Sequence, residues 1–286
     1  MNDNIIKKLI NNIDLSNQNK SSHWKKYLPA DVNYLNHFKS YDFGAFTKKN
    51  IIRNYFENLL AKIVFGKDIF KTKTYENYLT VFNKIERHVD NDAFRHIFTF
   101  EKLKKIVNPK SICIIGDGKI NGVLGAYLTF PSAKIFSVNL SEVLINDYII
   151  LDQLDIFKKS IALVDDISSS KKNKLLTLVP SNHKKFLLNK DIELFINIVS
   201  FQEMTKIEIE NYFKIIKNNK SKLYCCNREC KKLPDGEELF FDKYPFSNAK
   251  KIFYEDCPWH QKFYSLEPPF IHDYDGNIKH CLVEFN

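Results

Sequence analysis

Gly116 and Gly118 flank Asp117 directly after the apolar run Ser111–Ile115. Glycine lets a backbone turn sharply and approach a ligand with no Cβ in the way, so Gly-x-Gly at the end of a buried strand suits a nucleotide-like ligand. The spacing is loose, because Ile120 stands where a third small residue is usual and the next glycine is Gly122. Ile114 replaces the acid often found two places before the first glycine. Asn139 ends the next apolar run, with Leu140 beside it, where an acid normally holds ribose hydroxyls. An asparagine oxygen can still accept one hydroxyl. Ser181 and Asn182 follow a later run, placed to read an adenine edge, and Ser200 closes another. Polar and titratable groups cluster on the same side of these runs: Gln202 and Glu203 after Ser200, Asn227 and Arg228 farther on, and His260 within Pro258-Trp259-His260-Gln261, ahead of Tyr264.

The elements that must hold these residues alternate in type. Ser111–Ile115, Lys134–Asn139, Leu175–Val179, Glu193–Ser200 and Lys222–Asn227 read as buried strands. Helices are expected after Gly122, from Ser141 to about Leu154, and from Glu203 to Ile216. Residues 155–174, with Asp165, Asp166 and Ser168–Ser170, read as a loop or an insertion. Phe270–His272 and Ile278–Phe285 flank Asp275-Gly276, a hairpin signal. The pattern is a doubly wound α/β sheet with an antiparallel C-terminal hairpin. Ahead of it, Ile51–Phe65, Tyr75–Ile85 and Phe100–Val107 carry helical periodicity, the last stopped by Asn108-Pro109. The division is a helical region over 1–105, serving as lid, substrate contact or oligomer contact, and a catalytic domain over 106–286.

The formal charge of +9 would suit a polyanionic partner, but only four residues, Arg53, Arg87, Arg95 and Arg228, are arginines. Arginine is the usual fork for phosphates and guanine edges, so a solvated lysine surface is the plainer reading. No apolar run reaches the roughly 18–20 residues that cross a bilayer. The opening Met1–Lys8 has an acid early and no long apolar block behind it, unlike a signal peptide, so a cytoplasmic location is expected. Six cysteines should then be reduced. Cys225, Cys230, Cys257 and His260 could be drawn as a zinc set, but no Cys-x2-Cys or His-x3–5-His pair is present, and no metal is expected. Asp165, Asp166 and Glu203 offer oxygen ligands at no spacing that demands an ion.

From Ser111 onward the chain resembles the bacterial sugar O-methyltransferase family. The stretches that carry the likeness are Ile115–Gly118, Ser137–Leu140, Asn197–Met204, Tyr224–Glu229, Lys232–Gly236, Tyr244-Pro245, Pro258–His260, Pro268-Pro269 and Tyr274–Gly276. The resemblance implies a class I methyltransferase fold, S-adenosylmethionine as cofactor, and O-methylation of a sugar during assembly of a surface polysaccharide or related glycan. The acceptor would be a free sugar, a nucleotide-linked sugar or a lipid-linked glycan. A sugar hydroxyl is too weak an acid to ionise unaided, so a general base is needed. His260 is the first choice and Glu203 the second. Arg228 could supply a planar fork for an acceptor carboxylate or phosphate. Gln202, Asn227, Trp259 and Tyr264 would contact the substrate, aromatic faces stacking on sugar C–H surfaces.

Two rivals stand beside this reading. Glu267-Pro268-Pro269-Phe270 echoes the Asn/Asp-Pro-Pro-aromatic motif of amino-group methylases acting on nucleic acid, but it begins with Glu and lies beyond the fifth strand, so it reads as a loop. A degenerate methyltransferase fold used as a binding subunit would account for the acids missing at Ile114 and Asn139.

Overall fold

The computed structural model describes residues 3–13, 20–27, 50–154, 157, 160–164 and 175–286. Ser111–Ile115, buried on both faces, becomes the central strand β1. Its side chains alternate between two apolar clusters, Ile112 and Ile114 in one, Cys113 and Ile115 in the other. Parallel strands extend the sheet: β2 (Lys134–Asn139), β3 (Ile161–Leu163), β4 (Leu176–Pro180), β5 (Leu194–Ile198) and β6 (Lys222–Arg228). A small ribbon of β7 (Cys230–Lys232) and β8 (Glu238–Phe240) comes next, then β9 (Lys250–Asp256). A second ribbon, β10 (Lys262–Tyr264) with β11 (Ile271–Asp273), precedes β12 (Ile278–Glu284). The main sheet runs β3-β4-β2-β1-β5-β6-β12-β9, with β12 antiparallel to both neighbours.

The described helices are α1 (Asp3–Asn11), α2 (Ser22–Tyr27), α3 (Ile51–Phe65), α4 (Lys73–Lys84), α5 (Asn91–Leu103), α6 (Asn121–Thr129), α7 (Ser141–Asp152) and α8 (Lys206–Asn218). Side-chain caps start four of them, with Asn50, Thr72, Asp90 and Thr205 accepting from Arg53, Tyr75, Ala93 and Glu208 backbone N–H groups. None of these helices is long and apolar enough to cross a membrane. Helices α3 to α6 share one apolar cluster with Ile112 and Ile114, so these four helices lie on one face of the sheet. The opposite face is covered by α8 together with Phe241, Tyr244 and Phe246.

Several elements differ from the sequence reading, for physical reasons. The hairpin expected around Asp275-Gly276 does not form. Gly276 turns the chain at φ +90°, but β11 pairs with β10, and β12 enters the sheet between β6 and β9. A turn signal is local, whereas the partner of β12 follows from a strand buried along most of its length. β9 went unread because its residues are largely exposed; it is the sheet edge, and Lys250 and Lys251 suit an edge strand. The helix read over Phe100–Val107 instead spans Asn91–Leu103, started by the Asp90 cap. Glu203 lies on a 3-10 turn, Phe201–Glu203, ahead of a helix that Thr205 starts. β3 lies within the segment read as loop or insertion, while Asp165, Asp166 and Ser168–Ser170 fall outside the described residues.

Helix α6 crosses α4 and α5 closely at Gly125, where an added Cβ would meet Phe100 Cε2 at 2.0 Å and Tyr78 Oη at 2.4 Å. Tyr78 Oη donates to Asn121 O at 2.7 Å and Phe100 is fully buried, so neither ring is free to yield. Gly125→Ala would gain helix propensity, about 1 kcal/mol at most, yet overpack this crossing. We expect a net loss of roughly 1–3 kcal/mol, read as a lowered midpoint in denaturant unfolding.

Candidate active site

The strands β1, β2, β5 and β6 all end at one edge of the sheet, and a cavity of about 330 Å³ opens there. Its walls include Gly116–Lys119 after β1, Asn139 and Leu140 after β2, Ser181 after β4, and Ile198–Ser200 with Glu203 after β5. In a parallel sheet this is the edge where ligands bind, because the loops there diverge.

Gly116 has φ +77°, and a Cβ on it would meet Ser200 Oγ at 1.8 Å. A Cβ on Gly118 would meet none of the described residues within 4 Å, so that wall is left open for a ligand. Asp117 Oδ2 accepts from Val123 N at 2.7 Å and thereby caps α6 from outside the helix. Asn139 Nδ2 donates to Asp117 O at 3.2 Å, and its Oδ1 accepts from Leu140 N at 2.9 Å. One lone pair of that oxygen is left for a ligand hydroxyl. Two β-branched residues hold left-handed backbone beside the cavity, Ile120 at φ +56° and Val199 at φ +61°. Each costs of order 1–3 kcal/mol, and such costs collect at functional sites.

The position of Glu203 follows from a chain of buried amides. Asn197 Nδ2 donates to Ile115 O at 3.2 Å, and Asn197 Oδ1 accepts from Phe201 N at 3.1 Å and Asn227 Nδ2 at 2.8 Å. Asn227 Oδ1 accepts from Gln202 N at 3.2 Å, and Gln202 Oε1 accepts from Arg228 N at 2.8 Å. This chain ties the ends of β1, β5 and β6 to the turn that carries Glu203. From the other side, Ser21 Oγ donates to the Glu203 carbonyl, and Lys20 Nζ meets Glu142 Oε1 at 2.5 Å with both side chains buried. Lys20, Ser21 and Trp24 complete the cavity wall.

Burial lifts the Glu203 carboxyl to about 7, against the opposing pull of Lys231 and Arg228. A quarter of the side chain still reaches solvent, and His23 Nε2 lies 3.7 Å from its Oε1. Burial, aided by the Arg95 charge, pushes His260 well below the ordinary imidazole value, so it is neutral near pH 7. His260 Nδ1 lies 3.8 Å from Cys226 Sγ, and its Nε2 has no hydrogen-bond partner among the described residues. Burial alone would raise Asp92, but Lys119 at 3.0 Å and Arg95 at 2.9 Å more than offset that and keep it ionised.

Of the residues singled out from sequence, Gly116, Asp117, Gly118, Asn139, Leu140, Ser181, Ser200, Glu203 and His260 line this cavity. Asn182, Gln202, Asn227, Arg228, Trp259 and Tyr264 do not. Gln202 and Asn227 belong to the amide chain, and Arg228 Nη1 pairs with Asp275 Oδ2 at 2.6 Å. Trp259 stacks on Phe98 at 5.5 Å, and Tyr264 packs edge-on to Phe65 at 6.2 Å. Asn182 points instead toward Asn12 O, 3.5 Å away. The zinc set drawn from sequence does not converge, since Cys225 faces the other cluster and Cys230 is exposed. Cys226, Cys257 and His260 bring their ligand atoms within 4.8 Å of one another instead. The sequence reading missed Asp92, Arg95 and His96, whose i, i+3, i+4 spacing puts three polar groups on one face of α5. It also missed Lys20, Ser21, Trp24, Lys119 and Tyr274.

No protein-family model matches the chain, and no curated protein matches it. Among solved structures it is similar to a SAM-dependent methyltransferase from Aquifex aeolicus, at 9% identity and TM-score 0.45, over 69% of this chain and 95% of that one. A fibrillarin/Nop5p complex aligns at 8% identity and TM-score 0.43, over 68% and 81%. The mitomycin 7-O-methyltransferase MmcR aligns at 8% identity and TM-score 0.40, over 88% and 71%. Likenesses this distant add no weight to the strand order. That order, six strands paired in parallel and then β12 inserted in reverse between β6 and β9, decides the matter. The fold is that of class I methyltransferases.

A carboxyl that titrates near 7 in the folded protein and near 4.5 unfolded destabilises the fold as it ionises. The stability it permits is complete below about pH 4 and lost as pH rises through 7. We therefore expect Glu203→Gln to match the parent at pH 4 and to be more stable at pH 8. The difference should be about 1–3 kcal/mol, reduced by partial exposure and read from urea midpoints at both pH values.

Proposed function

We propose that this chain is an S-adenosylmethionine-dependent O-methyltransferase whose acceptor is a sugar hydroxyl, acting in the assembly of a surface polysaccharide or related glycan. The observation that carries the reading is convergence: the glycine turn after β1, the Asn139 end of β2 and the Glu203 turn after β5 face one cavity at the carboxyl edge of the sheet. At about 330 Å³ the cavity falls within the roughly 300–1,000 Å³ usual for ligand sites. The residues fit the cofactor. Gly118 leaves open space, Asn139 keeps one acceptor lone pair for a ribose hydroxyl, and Val138, Leu140 and Ile198 offer apolar walls. When bound, that cofactor supplies a methyl group already activated on a sulfonium.

The chain's own residues then have to align a hydroxyl and take its proton. Glu203 is the group suited to the proton, because a base works best when its pKa lies near the working pH. His260, first choice from sequence, is too weak a base where it sits, and acts as a neutral hydrogen-bond partner through Nε2. Trp24 and Tyr274 give the cavity aromatic faces for sugar C–H surfaces. The resemblance of the later motifs, Tyr224–Glu229 and Pro258–His260 among them, supports a sugar acceptor.

Three measurements test this. Calorimetry should detect S-adenosylhomocysteine binding, and Gly118→Val, which fills open space without touching packed neighbours, should weaken it at least tenfold. Methyl transfer to a panel of sugars and nucleotide-sugars should fall by roughly 10²–10⁴-fold in Glu203→Gln, with cofactor affinity preserved. The kcat/KM profile should rise with pH and level off, inflecting near the Glu203 value of about 7. A protein that binds no S-adenosylhomocysteine, or a variant that keeps full rate, would sink the corresponding part of the proposal.

A further inference from the structure

Arg95 presents an unfinished arrangement at the cavity wall. The residue is 5% exposed, and only Nη1 of its guanidinium is hydrogen-bonded, to Asp92 Oδ1 at 2.9 Å. Nε and Nη2 are buried and have no hydrogen-bond partner among the described residues. Those two nitrogens share one edge of the guanidinium plane, the edge that grips both oxygens of a carboxylate or phosphate. Buried charged donors without acceptors are costly, and in a native protein each calls for an explanation.

Arg95 has no anion to itself, unlike the neighbouring cations. Lys20 is matched by Glu142, Lys184 by Glu208 and Arg228 by Asp275. Asp92, however, is shared between Arg95 and Lys119, one anion against two cations. Residue choice points the same way, because only four of the 43 basic residues are arginines. Two of those four meet on one ring, Arg95 at 4.8 Å and Arg228 at 5.1 Å from the Tyr274 centroid. Tyr274 lines the cavity and packs edge-on to His260 at 5.0 Å, so the fork lies on the side of the cavity where those two residues stand.

We infer that the acceptor carries an oxyanion, a carboxylate or phosphate group, which docks on the Nε–Nη2 edge of Arg95. The inference rests on the methyl-transfer reading for what the acceptor is, but the fork itself can be tested without turnover. It narrows the substrate class to acidic sugars, of the uronic acid or sugar phosphate type.

The test measures binding of D-glucuronate, glucose 1-phosphate and D-glucose to the full chain, with and without saturating S-adenosylhomocysteine. The parent protein should bind one of the anionic sugars at least tenfold more tightly than glucose. Arg95→Gln should abolish that preference, and Arg95→Lys, which keeps charge but not the fork, should restore only part of it. Both variants should keep S-adenosylhomocysteine affinity within about threefold and the parent's thermal midpoint within a few degrees. Equal binding of anionic and neutral sugars by the parent overturns the inference, and so does a preference that survives Arg95→Gln. A third overturning result is a tenfold loss of S-adenosylhomocysteine affinity in Arg95→Gln with the sugar preference intact, which assigns the fork to the cofactor's own carboxylate. If the parent binds no S-adenosylhomocysteine yet prefers anionic sugars through Arg95, the fork stands and the methyl-transfer reading falls.

Discussion

Side-chain amides at the carboxyl edge of the sheet make the site possible. Where β1, β5 and β6 stop, the ladder no longer pairs their backbone groups, and any left buried would cost about 1–3 kcal/mol each. Asn197, Asn227 and Gln202 meet that demand in sequence, each accepting from one backbone N–H, while Asn197 Nδ2 donates back to the β1 end and Asn227 Nδ2 donates to Asn197. All three are nearly inaccessible to solvent. Water cannot replace them there, so the turn bearing Glu203 has little freedom relative to the glycine turn on the neighbouring strand. A catalytic geometry held by loops gains its rigidity in this way, from satisfied polar atoms behind it.

The same edge holds the molecule's least comfortable features. Ile120 and Val199 take backbone conformations that β-branched residues avoid, Glu203 is kept in surroundings that resist its charge, and Arg95 holds donors that nothing answers. Their clustering at one cavity is the argument, since none alone would distinguish a site from local strain. The buried Lys20–Glu142 pair adds a constraint of another kind. Such pairs contribute little net stability once desolvation is counted, but they specify position, and this one fixes the Lys20–Trp24 segment over the first turn of α7.

How much of this was legible in the sequence depended on the range of the forces involved. The buried strands β1, β2, β5 and β6 announce themselves by apolar runs, and α3 by periodicity, because both depend on which neighbours are a few residues away. The glycine turn, Asn139 and Glu203 were readable for the same reason, as each directly follows such a run. Trp259 and Tyr264 have aromatic character that suits a sugar, yet they pack against Phe98 and Phe65, which lie 161 and 199 positions away along the chain, and spacing contains no trace of that. Gln202 and Asn227 look like ligand contacts on composition, and only the three-strand geometry reveals their backbone partners. Asp92, Arg95 and His96 were missed although their spacing was visible, since the helix carrying them was read as starting later.

The placement of β12 bears on how the protein comes to be made. Both strands it separates, β6 and β9, are synthesised earlier, and neither can complete its hydrogen bonds on that side until the residues between Ile278 and Glu284 have emerged. During translation the half-built sheet therefore offers two open margins and a gap, and the catalytic edge, whose β6 end is one rim of that gap, is among the last parts to become rigid.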